Sequence, residues 1–234
     1  MRLCKKRLLP YWLYILPDGI KVVGPLSPEI FAAIWEIYYK RSYERISLVK
    51  HPNMVIIDCG AHIGLYSLKM ARSDCRVISI EPENRNFQYL TLNIRLNKFA
   101  EKILPLKLAV SDRNGFTPLM KTENSTTYSI VHADNYVETE TVKTISLDTL
   151  IHKLQLDSVD ILKLDVEGAE LLALKGLRNE AMKVKNIVLE VHTNMVKIED
   201  IVLELNSKNF VIIKVVKIPG IPSSIVVYAT RMKP

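Results

Sequence analysis

The first residues whose types and spacing could do chemistry form the stretch Asp58-Cys59-Gly60-Ala61-His62-Ile63-Gly64, between an aliphatic run and a helical pattern. Gly60 allows the backbone to bend tightly and to approach a ligand, and Gly64 allows helix and strand to pack together. A dinucleotide turn receives a pyrophosphate and has no need of an acid such as Asp58. An α-amino acid with a positive sulfonium is a better electrostatic match, so Asp58, Gly60, His62 and Gly64 are predicted to bind such a cofactor. A plain tight connection is the alternative.

Two further strand ends could complete a nucleoside site. Glu81 follows the second aliphatic run, about twenty residues after the glycine turn, where a carboxylate in doubly wound sheets accepts ribose hydroxyls. Its alternatives are a helix cap or an ion pair with Arg85. After the third run, Val110 could lie against an adenine and Ser111 or Asp112 could reach its amino group. The Ser-Asp-Arg-Asn-Gly stretch there is equally suited to a solvent-exposed turn.

The densest group of charges is Lys163-Leu164-Asp165-Val166-Glu167-Gly168-Ala169-Glu170. Ligands of open α/β sheets bind outside the carboxyl ends of the strands, so Asp165 would lie near both the cofactor and the reacting group. On a strand, Lys163, Asp165 and Glu167 would point to one side and could tune proton removal from a hydroxyl. A buried ion pair, with Glu167 and Glu170 favouring the N-terminus of the next helix, is the alternative.

His192 ends a later aliphatic run and is the fourth catalytic candidate, because a histidine titrates near neutral pH. Packing or capping is the alternative role. Asp165, Glu190 and His192 could instead hold a divalent metal, but no tight ligand motif supports this, and no metal is predicted.

The elements that must position these residues alternate between strand and helix from Val55 onward. This alternation predicts an α/β fold with a mostly parallel sheet, helices on both faces and a C-terminal antiparallel hairpin. The predicted strands lie at 55–57, 77–80, within 102–110, at 161–164, 187–191, 210–216 and 224–229, and the helices at 65–71, 85–96 and 169–177. Residues 51–234 would form this domain, with an antiparallel insertion at about 116–147.

Residues 1–50 precede that alternation. The turn Pro17-Asp18-Gly19 between two apolar runs predicts a β-hairpin. Ser27-Pro28-Glu29 predicts a helix start, and apolar residues at helical spacing continue through about residue 45. This N-terminal addition is a possible lid over the main domain.

Composition narrows the class only broadly. Of the 234 residues, 48% are hydrophobic and 24% charged, which is typical of a globular domain. The net charge of +7 would suit an anionic partner such as nucleic acid, but the basic residues are spread along the chain and solvated side chains explain them as well. Three cysteines without metal spacing indicate a reduced set. With no signal peptide or transmembrane stretch expected, a cytoplasmic location is predicted.

Six segments of the sequence match motifs of one known family and occur in the same order as in that family: 56–67, 80–82, 93, 109–112, 146–148 and 161–170. In them the chain resembles the FkbM family of S-adenosylmethionine-dependent methyltransferases, and the string from Lys163 to Glu170 is the most specific. The resemblance implies a class I methyltransferase (Rossmann-like) fold and S-adenosyl-L-methionine as cofactor. It also implies transfer to a hydroxyl of a small molecule, sugar or lipid-linked glycan. At His62 the family more often has Asn.

The sequence thus favours an O-methyltransferase with a small-molecule or glycan acceptor and a base among Asp165, Glu167 and His192. An RNA methyltransferase, a non-catalytic cofactor-binding subunit and a nicotinamide-dependent dehydrogenase are the alternatives. The acceptor and the oligomeric state are not predicted.

Overall fold

The computed structural model describes residues 12–43, 52–124, 126–132, 135–218 and 222–232. The strands are β1 (Trp12–Ile15), β2 (Lys21–Gly24), β3 (Val55–Cys59), β4 (Arg76–Ile80), β5 (Ile103–Leu106), β6 (Ala109–Val110), β7 (Gly115–Lys121), β8 (Glu138–Ile145), β9 (Val159–Leu164), β10 (Val184–His192), β11 (Phe210–Lys217) and β12 (Ser224–Arg231). The α-helices are α1 (Pro28–Ile34), α2 (Leu65–Arg72), α3 (Asn84–Leu96), α4 (Leu147–Lys153), α5 (Glu170–Lys175) and α6 (Ile198–Ser207).

The central sheet has seven strands in the order β11-β12-β10-β9-β3-β4-β5. Strands β10, β9, β3, β4 and β5 are parallel, whereas β12 is antiparallel to both β10 and β11. All six residues of β9 are buried, as expected for a strand covered on both faces. The predicted fold class, a mostly parallel sheet with a C-terminal antiparallel hairpin, is confirmed.

Two hydrophobic layers cover the two faces of this sheet. On one face the apolar sides of α4, α5 and α6 pack together, with Leu150, Leu174 and Leu205 among the buried residues. On the other face α2 and α3 pack together with the N-terminal hairpin and α1. The first residues of the described chain therefore share a core with the main sheet.

Asn93 in α3 joins the hairpin to the glycine turn. Its Oδ1 accepts from the backbone N–H of Val23 at 2.7 Å, and its Nδ2 donates to the carbonyls of Val23 and Ile63, both at 2.9 Å. One fully buried amide thus fixes β2 against the segment that follows β3. The hairpin of β1 and β2, and α1 with a Ser27 cap, lie where the N-terminal addition was predicted. The division at residue 50 and the lid role stay predictions.

Several predicted bounds were wrong. The first helix ends at Ile34 and continues as a π-helical turn, Trp35–Lys40, so regular helix does not reach residue 45, which lies outside the described residues. The stretch 102–110 is split, because Ala109–Val110 leaves the main sheet and joins a three-stranded sheet of order β6-β8-β7. Helix α5 is shorter than 169–177.

The segment at 116–147, where an antiparallel insertion was predicted, contains the antiparallel pair β7 and β8.

Candidate active site

A cavity of about 710 Å³ opens at the carboxyl ends of β3, β4, β9 and β10. Because the carboxyl ends of parallel strands meet at one edge, it brings together residues that are far apart in the sequence. Eight of the predicted site residues line its wall: Gly60, His62, Glu81, Val110, Lys163, Asp165, Glu167 and His192. The N-terminal segment contributes a wall of its own through α1, the π-helical turn and Tyr43.

The glycine turn is held by close backbone contact between β3 and β9. Gly60 has φ +78°, and a Cβ at this position would lie 1.7 Å from the carbonyl oxygen of Asp165. Gly64 has φ +96° at the start of α2, and its Cβ would lie 2.7 Å from the side chain of Leu90. Only glycine satisfies both requirements at Gly60, a positive φ and no side-chain volume. The turn is therefore shaped to leave exposed backbone at the cavity wall.

Asp58 lies behind this turn and is absent from the cavity wall. It is fully buried, its Oδ2 accepts from the Ser67 hydroxyl at 2.5 Å, and its Oδ1 lies 3.2 Å from the Lys163 Nζ. The prediction that Asp58 touches a cofactor directly therefore has no support in this arrangement. Its carboxylate instead balances the charge of a buried lysine.

Glu81 is placed where the sequence predicted, in the wall at the end of β4. Its Oε2 accepts from the backbone N–H of His62 at 2.9 Å and its Oε1 accepts from that of Glu83 at 3.0 Å. Burial raises the pKa of this carboxyl to about 7, although these two hydrogen bonds oppose the shift. Helix α3 is capped by Glu83 and not by Glu81, so the capping alternative does not explain the position of Glu81.

The residues predicted to bind the adenine, Val110, Ser111 and Asp112, do not all reach the cavity. Val110 lines the cavity, whereas Ser111 and Asp112 are absent from its wall. The Ser111 hydroxyl donates to Asp112 at 3.1 Å, and the Ser111 carbonyl lies where a Cβ on Gly176 would collide with it. These two residues therefore belong to a turn that packs near the end of α5. The alternative of a solvent-exposed turn does not describe Ser111, which is buried, and contact of either residue with the cofactor stays a prediction.

Lys163 and Asp165 meet at the cavity wall as the alternation on a strand predicted. The Lys163 Nζ lies 3.2 Å from Asp165 Oδ2 and within 5.7 Å of the ring centres of Tyr43 and Tyr66. Tyr43 donates a hydrogen bond to the same Asp165 oxygen at 3.0 Å. Burial alone would raise the pKa of Asp165, but the charges of Lys163 and His192 and the hydrogen bonds from Lys163 and Tyr43 together outweigh it, so the pKa of Asp165 is lowered.

The side chain of Glu167 does not point to the same side as those of Lys163 and Asp165, although the sequence predicted that it would. Strand β9 ends at Leu164, and the positive φ of 50° at Glu167 turns its side chain toward His192, where Oε2 and Nε2 are 3.2 Å apart. The other ring nitrogen of His192, Nδ1, lies 2.8 Å from Oε1 of the fully buried Glu170. Burial opposes the imidazolium, yet the hydrogen bond to Glu170 and the charge of Glu167 raise the pKa of His192 to about 10.

The structure adds residues that sequence reasoning missed. The Tyr43 hydroxyl oxygen also lies 2.6 Å from Glu190 Oε2, so its single proton is shared between carboxyl groups at the ends of β9 and β10. Glu36, from the π-helical turn, lines the same cavity. Nothing in the local sequence places Tyr43 here, because its hydrogen bonds cross more than a hundred residues of chain. Glu190 was considered only as a metal ligand.

His62 occupies the wall between Gly60 and Glu81 with φ +51°. Burial lowers the pKa of His62 to about 4, so its ring is neutral at pH 7. Asparagine adopts positive φ more readily than most residues. We therefore expect His62→Asn to keep cofactor affinity within about threefold of the unmodified chain or to improve it. Calorimetric titration measures this, and a loss of binding would mean that the imidazole itself is required.

No helix among the described residues is long and apolar enough to cross a membrane.

Comparison with known proteins decides the family. The methyltransferase FkbM domain matches residues 58–212, which include the glycine turn, Glu81 and the whole Lys163–Glu170 string. The chain belongs to the FkbM methyltransferase family. The prediction of this family is confirmed, and S-adenosylmethionine is the cofactor that the family and its structural neighbours support.

Individual relatives are similar over parts of their length. The chain is 28% identical to the AMB antimetabolite synthetase AmbE of Pseudomonas aeruginosa over 77% of this chain and 10% of AmbE. It is 29% identical to the hexuronic acid methyltransferase AglP of Haloferax volcanii over 60% of this chain and 57% of AglP. The chain thus spans well under two thirds of both relatives. Streptococcus pneumoniae Sp1610, solved in complex with S-adenosyl-L-methionine, shares the fold with TM-score 0.53 and 14% identity, over 83% of this chain and 74% of that one.

Proposed function

We propose that this FkbM-family chain transfers a methyl group from S-adenosylmethionine to a hydroxyl of a small molecule or sugar. The observation that carries the proposal is the single cavity in which Gly60 and Glu81 lie beside Tyr43, Asp165 and His192. The hexuronic acid methyltransferase AglP, a family relative by sequence, is named for a sugar acid, which supports a sugar-like acceptor. A cytoplasmic location stays a prediction.

The residues present fit the cofactor. Gly60 and Glu81 line the same cavity, and both Glu81 oxygens are already oriented by backbone N–H groups. Gly60 and His62 would hold the amino-acid end, Glu81 the ribose and Val110 the adenine. S-adenosylmethionine supplies an electrophilic methyl group on its positive sulfur.

Alignment of the acceptor falls to the other end of the cavity. Among the described residues, Asp165 Oδ1 accepts no hydrogen bond, whereas both ring nitrogens of His192 are engaged by carboxylates. Asp165 is therefore the residue that we propose to face the acceptor hydroxyl through Oδ1. As the O–C bond forms, the bond between the methyl carbon and the cofactor sulfur breaks, and the hydroxyl proton passes to Asp165 or to Glu167 in the same wall. Lys163 and Tyr43 both hold Asp165 Oδ2, which makes them positioning residues.

The acidic lining argues against the RNA alternative. Carboxyl groups line the acceptor end, and the cations Lys163 and His192 there are already paired with carboxylates, so this wall offers little positive charge to a phosphate backbone. The positive net charge of the chain is therefore not concentrated at the site where a nucleotide would have to enter.

Two measurements test the proposal. Calorimetric titration with S-adenosylmethionine, and separately with NAD, should show binding of the first only. Incubation with cofactor labelled on the methyl group, against monosaccharides, hexuronic acids, small polyols and total RNA, should label a hydroxyl compound. Label in RNA, affinity for NAD alone, or cofactor binding without transfer to any compound would each contradict it.

A pH dependence follows from Glu81. Ribose hydroxyls donate to a carboxylate, so bound cofactor favours the ionised form, and binding below pH 7 must first remove a proton. We expect the affinity for S-adenosylmethionine to rise about tenfold per pH unit from pH 5.5 toward 7 and then to level off. The Glu81→Gln variant should bind more weakly with a nearly flat profile. An equal slope in both proteins would assign the pH dependence to another group.

A further inference from the structure

Three side chains at the acceptor end form a mixed set of metal donors. Asp165, Glu190 and His192 each offer one ligand atom, and these atoms all lie within 4.8 Å of one another. Ligands opposite each other on a six-coordinate ion with bonds of about 2.1 Å are about 4.2 Å apart. Side-chain movements of less than about 1 Å would therefore bring the three donors to bonding distance.

Each of the two carboxylates is held through one oxygen and leaves the other without a hydrogen bond from the described residues. Asp165 is held through Oδ2 by Lys163 and Tyr43, and Glu190 is held through Oε2 by Tyr43. Among the described residues no hydrogen bond reaches Asp165 Oδ1 or Glu190 Oε1. Both carboxylates are thus oriented in advance, and one oxygen of each remains for a ligand.

His192 has the arrangement that orients a ligating imidazole. Its Nδ1 lies 2.8 Å from Glu170 Oε1, and the same oxygen accepts from the Gly168 N–H at 3.0 Å. Metal-ligating histidines usually donate their second ring N–H to such a carboxylate, which fixes the tautomer and turns the free nitrogen to the metal. Here that nitrogen is Nε2, which lies 3.2 Å from Glu167 Oε2 and 3.9 Å from Glu190 Oε1. A bound cation would take the place of the proton that Nε2 shares with Glu167.

The local charges leave room for a cation. Lys163 lies between Asp58 and Asp165 at 3.2 Å from each, so one carboxylate already balances it. Glu167 and Glu190 bring two more carboxyl groups to His192 in a largely buried wall. Carboxylates this close repel one another strongly unless protons or a cation lie between them.

We propose that Asp165, Glu190 and His192 bind a divalent cation of the Mn²⁺ or Mg²⁺ class, which holds the acceptor through its hydroxyl oxygens. With Asp165 Oδ1 on the cation, Glu167 is the carboxylate of this wall that remains to receive the hydroxyl proton. Three protein donors leave about three positions of a six-coordinate ion, enough for two neighbouring hydroxyls and a water. The acceptor class is then a compound with vicinal hydroxyls, such as a sugar or polyol. This inference rests on the proposed function, since it names what the same cavity selects.

The probe is Mn²⁺ itself, added to cofactor-free protein. Its binding is measured as a decrease in the electron paramagnetic resonance signal of free Mn²⁺. We expect one bound ion per chain. Glu190→Gln, which keeps an oxygen for Tyr43, should weaken Mn²⁺ binding at least about tenfold, and Glu170→Gln, which touches no ion, should weaken it about ten- to hundredfold. Glu199→Gln removes one exposed carboxylate of α6 as the matched control and should leave binding unchanged.

Two results would overturn the cation site: no loss of the free Mn²⁺ signal with the unmodified chain, or equal binding by Glu190→Gln. Titration with S-adenosylmethionine in the presence of EDTA measures cofactor binding without the cation. It therefore tests the proposed function independently of the cation site, and it shows that each variant is folded. Cofactor binding without Mn²⁺ binding removes the cation site alone, whereas absence of cofactor binding removes the proposed function.

Discussion

Replacing Gly60 with alanine should abolish cofactor binding and destabilise the fold by about 3–5 kcal/mol. The new Cβ would lie 1.7 Å from the Asp165 carbonyl oxygen, so the ends of β3 and β9 must separate. Asp165 would then move away from Tyr43 and Lys163, and the backbone cradle would be lost with it. Urea unfolding measures the stability, and calorimetric titration measures the affinity for S-adenosylmethionine.

Gly19 supplies a matched control for this substitution. Its φ of +81° is nearly the same as that of Gly60, but nothing lies within 4 Å of an added Cβ. Gly19→Ala therefore reports the backbone strain alone, about 1–2 kcal/mol, and should leave cofactor affinity unchanged. If Gly60→Ala lost no more than Gly19→Ala in either measurement, close approach of the two strands would not be what requires glycine.

The sequence was sufficient to predict the sites that follow from the topology of a parallel sheet. Gly60, Glu81 and Asp165 each lie at the carboxyl end of an aliphatic strand, and such ends must meet at one edge. Their presence in one cavity therefore needed only the order of strands and helices. The Lys163–Asp165 contact followed in the same way from alternation along a strand.

Contacts that depend on turn geometry could not be predicted. A positive φ at Glu167 reverses the direction of its side chain, and no residue type announces such a conformation outside glycine and asparagine. For the same reason Asp58, at a strand end like the others, was expected to touch the cofactor. It is turned inward, because the Ser67 hydroxyl and the Lys163 ammonium both lie on its buried side.

Contacts across long stretches of chain were equally inaccessible. Tyr43 reaches Asp165 and Glu190 only because the hairpin and α1 pack on the same face of the sheet as α2 and α3. That packing depends on Asn93, whose single side chain bonds both β2 and the glycine turn. Periodicity assigns such a residue to a helix, but not to the segment that it will bind.

Replacing Lys163 with methionine should cost about 3–5 kcal/mol of unfolding free energy, as expected when one partner of a buried ion pair is removed. Asp58 is fully buried, so loss of the ammonium would leave its carboxylate as an uncompensated buried charge. Asp58 would keep only the Ser67 hydroxyl as a hydrogen-bond donor among the described residues. Because Asp165 also loses a partner, methyl transfer should fall more than cofactor affinity does. Urea unfolding and label transfer measure the two effects.

The neighbouring pair Lys185–Asp160 separates burial from charge. Its atoms are 2.7 Å apart, closer than the Lys163–Asp58 pair, but the Lys185 side chain is 56% exposed. Lys185→Met should therefore cost no more than about 1 kcal/mol. Adding Asp58→Asn to Lys163→Met should recover part of the loss, since the uncompensated charge disappears with its partner. Two outcomes would contradict this: Lys163→Met and Lys185→Met lose equal unfolding free energy, or the double variant recovers none. Either would show that Lys163 acts through packing against Tyr43 and Tyr66 instead of through the charge of Asp58.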